Sequence, residues 1–249
     1  SCTVEFQHGR LLEYIFGGVG HGATSGDTTH TFALADAPLY ATIESSNNSA
    51  TDTALTHTGM FIESAELSLA LNETLKLKTD WVGCNTVSSA SATSAVVSTQ
   101  PVFPHGMFTV TFGGQTATLV QSVSIKITKS QLRVGGVSSK NYQVGNTSVI
   151  DFEFNMQLGF ADKTFQELYL GSTTNSSTAE PTALTLVLSA NNAVTLGSGR
   201  ESFSLTIDTI KCSTFEEAAS VGGVTFINLA GTGKFNACVT VDQIASGSW

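Results

Sequence analysis

Apolar and polar residues alternate along much of this chain. Between Phe61 and Val82 (FIESAELSLALNETLKLKTDWV), apolar side chains fall at Ala65, Leu67, Leu69 and Leu71, then at Leu75 and Leu77, with Trp81 following a break. A period of two sends alternate side chains to opposite faces of a half-buried strand. Asn72-Glu73 interrupts the run like a tight turn. The segment therefore predicts two strands with a short connection, or else one long bulged strand. The same alternation predicts strands at Thr29–Leu34, Leu39–Glu44, Met107–Phe112, Gln115–Val120 and Val123–Thr128. Later ones fall at Ser148–Leu158, Ala183–Leu188, Phe203–Thr209 and Gly233–Thr240. Thr and Val recur in these runs, as strand propensity favours.

Helical signals are short. Leu11–Phe16 is compact, apolar and stopped by Gly17-Gly18. Ala161–Leu170 has Asp162 as a possible cap, Phe165, Leu168 and Tyr169 on one face, and Gly171 as a stop. Thr214–Ala219 is expected to form a brief helical turn. Ser/Thr/Gly/Asn-rich stretches at Gly17–Asp27, Ser45–Thr58, Ser88–Gln100, Gly135–Asn146 and Gly171–Pro181 are expected to be exposed loops. No composition break divides the chain. The expected architecture is all-β, a mainly antiparallel sandwich or barrel-like domain over 1–249 with one or two short helices. So many long loops suit contacts with other subunits, because structureless loops are uncommon in compact domains unless they are functional.

Composition narrows the function classes. Of 249 residues, 63 are Ser or Thr and only 12% are charged, so the surface is polar without much charge. Net charge is −9 and the densest basic spot is Lys126–Lys129–Arg133, which argues against tight nucleic-acid binding through neutralised phosphates. No apolar run approaches the length of a membrane-spanning helix, and no membrane insertion is expected. The opening residues Ser1–Phe6 have neither a basic leader nor an apolar core, so no signal peptide is expected there, although a longer precursor stays open.

Candidate chemistry is sparse. The cysteines Cys2, Cys84, Cys212 and Cys238 match no metal or redox spacing, and both free thiols and a disulfide remain open. GGVGHGATSG (Gly17–Gly26) lacks the dinucleotide glycine spacing, and the stretch ending in Gly231-Thr-Gly-Lys234 fails as a phosphate loop because Phe235 replaces the Ser or Thr. His8, His21, His30, His57 and His105 read as scattered, mostly exposed residues; a metal site would need the first three to converge with a further ligand. The carboxylate pairs Glu63/Glu66, Asp151/Glu153 and Glu216/Glu217 lack an aromatic cleft, and no G-x-S-x-G elbow is present. No catalytic residue, cofactor site or metal site is predicted, and the chain is not expected to be an enzyme. Triplets for N-glycosylation at Asn47, Asn72, Asn146 and Asn175 carry little weight in so Ser/Thr-rich a chain. In the alternating strand Ser148–Leu158, the residues Asp151, Glu153, Asn155 and Gln157 share one face, while Phe152, Phe154, Met156 and Leu158 share the other.

The ordered set of elements resembles the tail tube proteins of tailed viruses. The resemblance is carried by Glu5–Gly17, a strand end followed by a short apolar helix closing in glycine, and by His30-Thr-Phe32 leading into Leu39–Glu44. The strand pair in Gly59–Gly83 with its ending Asp80-Trp-Val-Gly83 continues it, followed by Val120–Thr128 and Thr147–Leu158. The helix Ala161–Leu170 and the strands Thr182–Leu188 and Phe203–Asp208 complete it. The likeness covers most of the chain. It implies a structural virion protein of the viral tail whose subunits form rings, usually of six, stacked into a tube. In such a tube the inner sheets join into a barrel around a lumen. A tape measure protein fills that lumen first and genomic DNA passes later without tight binding, while other tail proteins sit at the tube ends. On this reading the polar face Asp151, Glu153, Asn155 and Gln157 lines the lumen, and the N-terminal segment with loops Ser45–Thr58, Ser88–Gln100 and Gly135–Asn146 makes ring-to-ring contacts. Three other classes share the texture: a capsid or decoration protein, which would build closed shells or trimers; a pilin- or adhesin-like subunit, which would need an export signal; and a carbohydrate-binding module, which would need an exposed aromatic platform.

Overall fold

A computed structural model describes residues 1–24, 27–35, 39–45, 54–83, 85–89, 100–130, 133–135, 142–144, 149–159, 164–170, 184–196, 200–221 and 224–243. It opens with β1 (Cys2–Glu5), α1 (Arg10–Phe16), β2 (Gly17–Thr24), β3 (Asp27–Leu34) and β4 (Ala41–Ser45). Next come β5 (Ala54–Ala70), β6 (Lys76–Val82), β7 (Asn85–Ser89), a 3-10 turn at His105–Met107, β8 (Phe108–Phe112) and β9 (Gln115–Ala117). Then follow β10 (Val120–Ser130), β11 (Arg133–Gly135), β12 (Tyr142–Val144), β13 (Val149–Gly159) and α2 (Thr164–Leu170). Three long strands close the chain: β14 (Leu184–Thr195), β15 (Arg200–Val221) and β16 (Val224–Asp242).

Fourteen strands form one sheet whose main path runs β1-β6-β5-β10-β13-β16-β15-β14-β8-β9, with β11 and β12 pairing apart. All the pairings are antiparallel. The sheet is bent onto itself. β8 lies four strands from β13 along the path, which would separate them by roughly 19 Å in a flat sheet. Yet the Phe112 and Phe154 rings sit 6.0 Å apart, and Phe6, just after β1, touches Phe203 of β15 at 5.0 Å. The fold is therefore a sandwich made by one continuous sheet. It is not closed into a barrel, so the barrel-like expectation does not hold for the single chain.

The bend lies in the β15–β16 hairpin. Its ladder slips between Asp208 and Lys211 and again between Cys212 and Thr214, and Thr209 takes a φ of 52°. Bulges of this kind let a strand pass from one layer to the other. The N-terminal half of β15 pairs with β14, while β16 pairs with β13 only through Phe226–Gly233. Gly231 lies opposite the bulge; a Cβ there would meet the Lys211 carbonyl and stand 2.8 Å from the Phe154 ring. Only a residue without a side chain lets the two strands close up at this corner.

Alternation supplies the core. Leu67, Leu69, Val123, Ile125, Ile127, Phe152, Phe154, Met156 and Leu158 from one layer face Val110, Phe112, Leu186, Leu188 and Leu205 from the other, all buried. Helix α1 plugs one end with Leu12, Ile15 and Phe16, and Gly17 ends it at φ 88° in the left-handed region. Asn72, at φ 62°, makes the predicted turn between β5 and β6.

Two expectations about local structure are overturned. Gly17–Asp27, expected as a loop, is strand through Thr24, because its backbone groups are taken up by β3. Thr214–Ala219, expected as helix, lies inside β15, paired residue for residue with β16 from Thr214 to Ala218. Ala54–Thr58, expected as part of the loop Ser45–Thr58, opens β5, and Ser45 ends β4; 46–53 lie outside the described residues. Helix α2 matches its prediction from Thr164 onward; Asp162, most of Gly135–Asn146 and all of Gly171–Pro181 lie outside the described residues.

Candidate functional site

The strand β13 places its residues as its alternation demands. Asp151, Glu153 and Asn155 are exposed and Gln157 half-buried, while Phe152, Phe154, Met156 and Leu158 are buried between them. Register then fixes the neighbours on the polar face. Glu153 lies between Lys126 of β10 and Thr232 of β16, Asn155 between Ser124 and Ala230, and Gln157 between Ser122 and Asn228. Asp151 sits opposite Thr128. One strand further out, Glu66 and Ser68 of β5 face Lys126 and Ser124, while Glu216 and Thr214 of β15 face Asn228 and Ala230. All four predicted residues thus belong to one broad face.

This face is concave. A trough of about 690 Å³ is lined by Glu66, Ser68, Ser124, Gln157, Glu216 and Asn228. A second hollow of about 360 Å³ continues it over Lys126, Glu153 and Thr232. Short contacts knit the floor. The Ser124 hydroxyl donates to Glu66 Oε1 at 2.6 Å, Gln157 Nε2 donates to Asn228 Oδ1 at 3.1 Å, and Lys126 stands 3.7 Å from Glu153. Both partners of that last pair are about half exposed, so it contributes little to stability. Carboxylates at Glu66, Glu73, Glu153 and Glu216 outnumber the single cation Lys126 among the trough's lining residues. The floor offers hydroxyls, amides and negative charge. It lacks an apolar pocket for a small ligand, and among the described residues no group of His, Cys, Asp and Glu is arranged to hold a metal ion.

The remaining sequence candidates scatter, with one exception. The first two members of the basic spot part company: Lys126 is on the polar face and Lys129 points into the core, buried. The Gly231–Lys234 stretch is the middle of β16. Cys2, Cys212 and Cys238 are free thiols; burial pushes the Cys212 thiol up to about 11 and raises the Cys238 thiol well above its ordinary value, which leaves both unreactive. Cys84, Asn47, Asn146 and Asn175 lie outside the described residues. His57 bridges β4 and β7 through Ser45 Oγ and Thr86 Oγ1, and His105 lies 3.3 Å from the Val120 carbonyl. The exception is His21 and His30, expected to be dispersed and exposed. They touch, and His30 is fully buried.

Several residues of the trough escape sequence reasoning. Ser122, Ser124 and Lys126 carry the same alternation signal as β13, between Val123, Ile125 and Ile127, and were readable in principle. Thr214 and Glu216 were not, because the run TFEEAA reads locally as helix and only its pairing with β16 makes it strand.

A family model described as phage tail tube protein matches residues 1–233. No curated protein matches the chain.

Proposed function

The chain belongs to the phage tail tube protein family, and on that premise we propose that it builds the tube as stacked homo-oligomeric rings, six subunits to a ring. Family membership makes it a structural component of the viral tail rather than an enzyme. The whole of 1–249 acts as one tail-tube domain in this reading. The trough face, with Asp151, Glu153, Asn155 and Gln157, lines the lumen, and the open sheet of each subunit joins its neighbours' into a barrel. The observation that carries this reading is the asymmetry of the β5-β10-β13-β16 layer: one side is sealed core, and the other is a concave, polar, weakly acidic wall.

Such a wall suits a conduit. DNA is held by neutralised phosphates, and a surface with more carboxylates than ammonium groups offers few. The tape measure protein occupies the lumen before the genome passes, and other tail proteins close the ends. Ring stacking falls to the flap in which β4 and β7 flank the first residues of β5. Ser45 and Ser89 pair with Leu55 and Ala54 at the same end of this flap. Tyr40, Leu55 and Val87 are exposed large apolar residues on or beside it. Burial of those side chains against the next ring favours stacking by the ordinary hydrophobic term. Ring closure and stacking also cover strand edges that would otherwise pair indiscriminately.

Negative-stain imaging and sedimentation of the purified chain test this reading. Stacked rings with a central hole are expected, and Leu55→Asp with Val87→Asp should leave short stacks or single rings. A particle that stays monomeric at every concentration contradicts it.

A further inference from the structure

The hairpin of β2 and β3 joins the main sheet through the ladder between β3 and the C-terminal half of β16, from Thr28↔Asp242 to Phe32↔Cys238. Along this ladder the inward side chains change character. Phe32 and Cys238 are apolar core; His30 with Thr240, then Thr28 with Asp242, form a buried polar layer. His30 is 0% exposed. Its Nε2 lies 3.0 Å from Asp242 Oδ1 and its Nδ1 lies 2.7 Å from His21 Nδ1. Gly9, just before α1, packs over this layer so closely that a Cβ there would stand 2.8 Å from both the Phe32 ring and Thr240 Oγ1.

The geometry limits how many protons the chain of groups can hold. A carboxylate only accepts, so His30 Nε2–H donates to Asp242. Neutral His30 then accepts at Nδ1 from the Nδ1–H of His21. If His30 is protonated it donates at both nitrogens, and neutral His21 accepts. A second proton breaks the arrangement, because two N–H groups would face each other at 2.7 Å with like charges behind them.

We propose that His21, His30 and Asp242 form an acid-sensitive latch that holds the β2–β3 hairpin to the end of β16 and opens when both imidazoles carry a proton. Of the other charged groups nearby, His8 and Glu201 of β15 act on Asp242 through their charge, Arg10 at the start of α1 acts on His8, and Asp27 is buried at the start of β3 next to Thr28. Burial pushes His30 below its ordinary value, against the pull of Asp242, and burial also lowers His8. The sign follows from linkage. A base held below its unfolded value binds fewer protons when latched, so latching is strongest above about pH 6.5 and weakens as pH falls below it. Glu201 has the opposite sign. Burial raises its carboxyl, to which Asn192 Nδ2 donates at 2.5 Å, so it takes up a proton more readily while latched and opposes opening as pH falls.

Hydrogen exchange on the full chain, compared at about pH 7.5 and about pH 5.5 after correction for intrinsic rates, reads the latch directly. Peptides within 17–34 should lose protection by about tenfold or more at the lower pH while β10 and β13 keep theirs. His21→Gln retains an amide donor for His30 Nδ1 but cannot titrate, and should abolish the change. Should that variant fail to fold, imidazole nitrogen NMR of the unaltered protein at about pH 8 must show the Nε2–H tautomer on His30. Unchanged exchange in the hairpin, a loss spread evenly over the whole chain, or the Nδ1–H tautomer on His30 would each overturn the proposal.

Discussion

Lys129 offers the sharpest physical test of the core. It follows Val123, Ile125 and Ile127 on the inward face of β10, where an ammonium group is out of place, and it is only 4% exposed. Its Nζ donates to the Tyr14 carbonyl at 3.1 Å, near the C-terminal end of α1, where the helix dipole favours a cation. Burial nevertheless pushes its pKa down from 10.5 to about 8. At roughly 1.4 kcal/mol per unit, that shift corresponds to about 3 kcal/mol of destabilisation carried by the charged form at neutral pH. The unfolded chain binds the proton more tightly, so stability rises with pH between about 8 and 10.5 and is flat below that window. Lys129→Met removes the titrating charge while keeping most of the side-chain volume. Urea denaturation followed by far-UV circular dichroism, with the protein dispersed, gives the stability of each form. The variant should be the more stable at pH 7, and its advantage should shrink by roughly 2 kcal/mol by pH 10 as the wild-type lysine loses its proton. The lost bond to Tyr14 shifts both ends equally and does not mask the slope. A difference that stays constant across that range would refute the reading of Lys129 as a buried charge.

Other outcomes follow from the same geometry. Gly231→Ala should cost between about 1 and 3 kcal/mol in urea unfolding, since its Cβ has no room beside Phe154 and the Lys211 carbonyl. Asn155→Lys with Gln157→Lys should make assembled tubes retain linear duplex DNA in filter binding, with retention falling steeply as salt rises, whereas unaltered tubes should not retain it at about 0.1 M salt. A thiol reagent followed by peptide mapping should modify Cys2 in the folded protein and reach Cys238 only at the unfolding rate.

How far the fold could be read from sequence depended on whether a signal was local. The β5 and β6 pair, its Asn72 turn, strand β13 and helix α1 follow from alternation, glycine stops and turn chemistry within a few residues. β2 did not, because every other residue in GGVGHGAT is small or glycine and its strand conformation depends on the β3 ladder. Alternation marks β15 only at Phe203–Thr209, since its second half has helix-favouring residues and is held extended by β16 and by Phe215 stacking on Tyr169 at 5.3 Å. For the candidate site, the four residues of β13 were legible as one face. Their neighbours on β5, β16 and β15 required the register. The buried contact of His30 with Asp242 spans 212 residues, and no local pattern announces it.

Which face of the sheet looks into the tube separates a lumen wall from an outer surface. A cryo-EM map of tubes assembled from the purified chain, at a resolution that traces side chains, answers this. The prediction is a central channel walled by β5, β10, β13 and β16, with Asp151, Glu153, Asn155 and Gln157 exposed to it. Finding those four residues on the outer surface of the tube, or buried between rings, would contradict it.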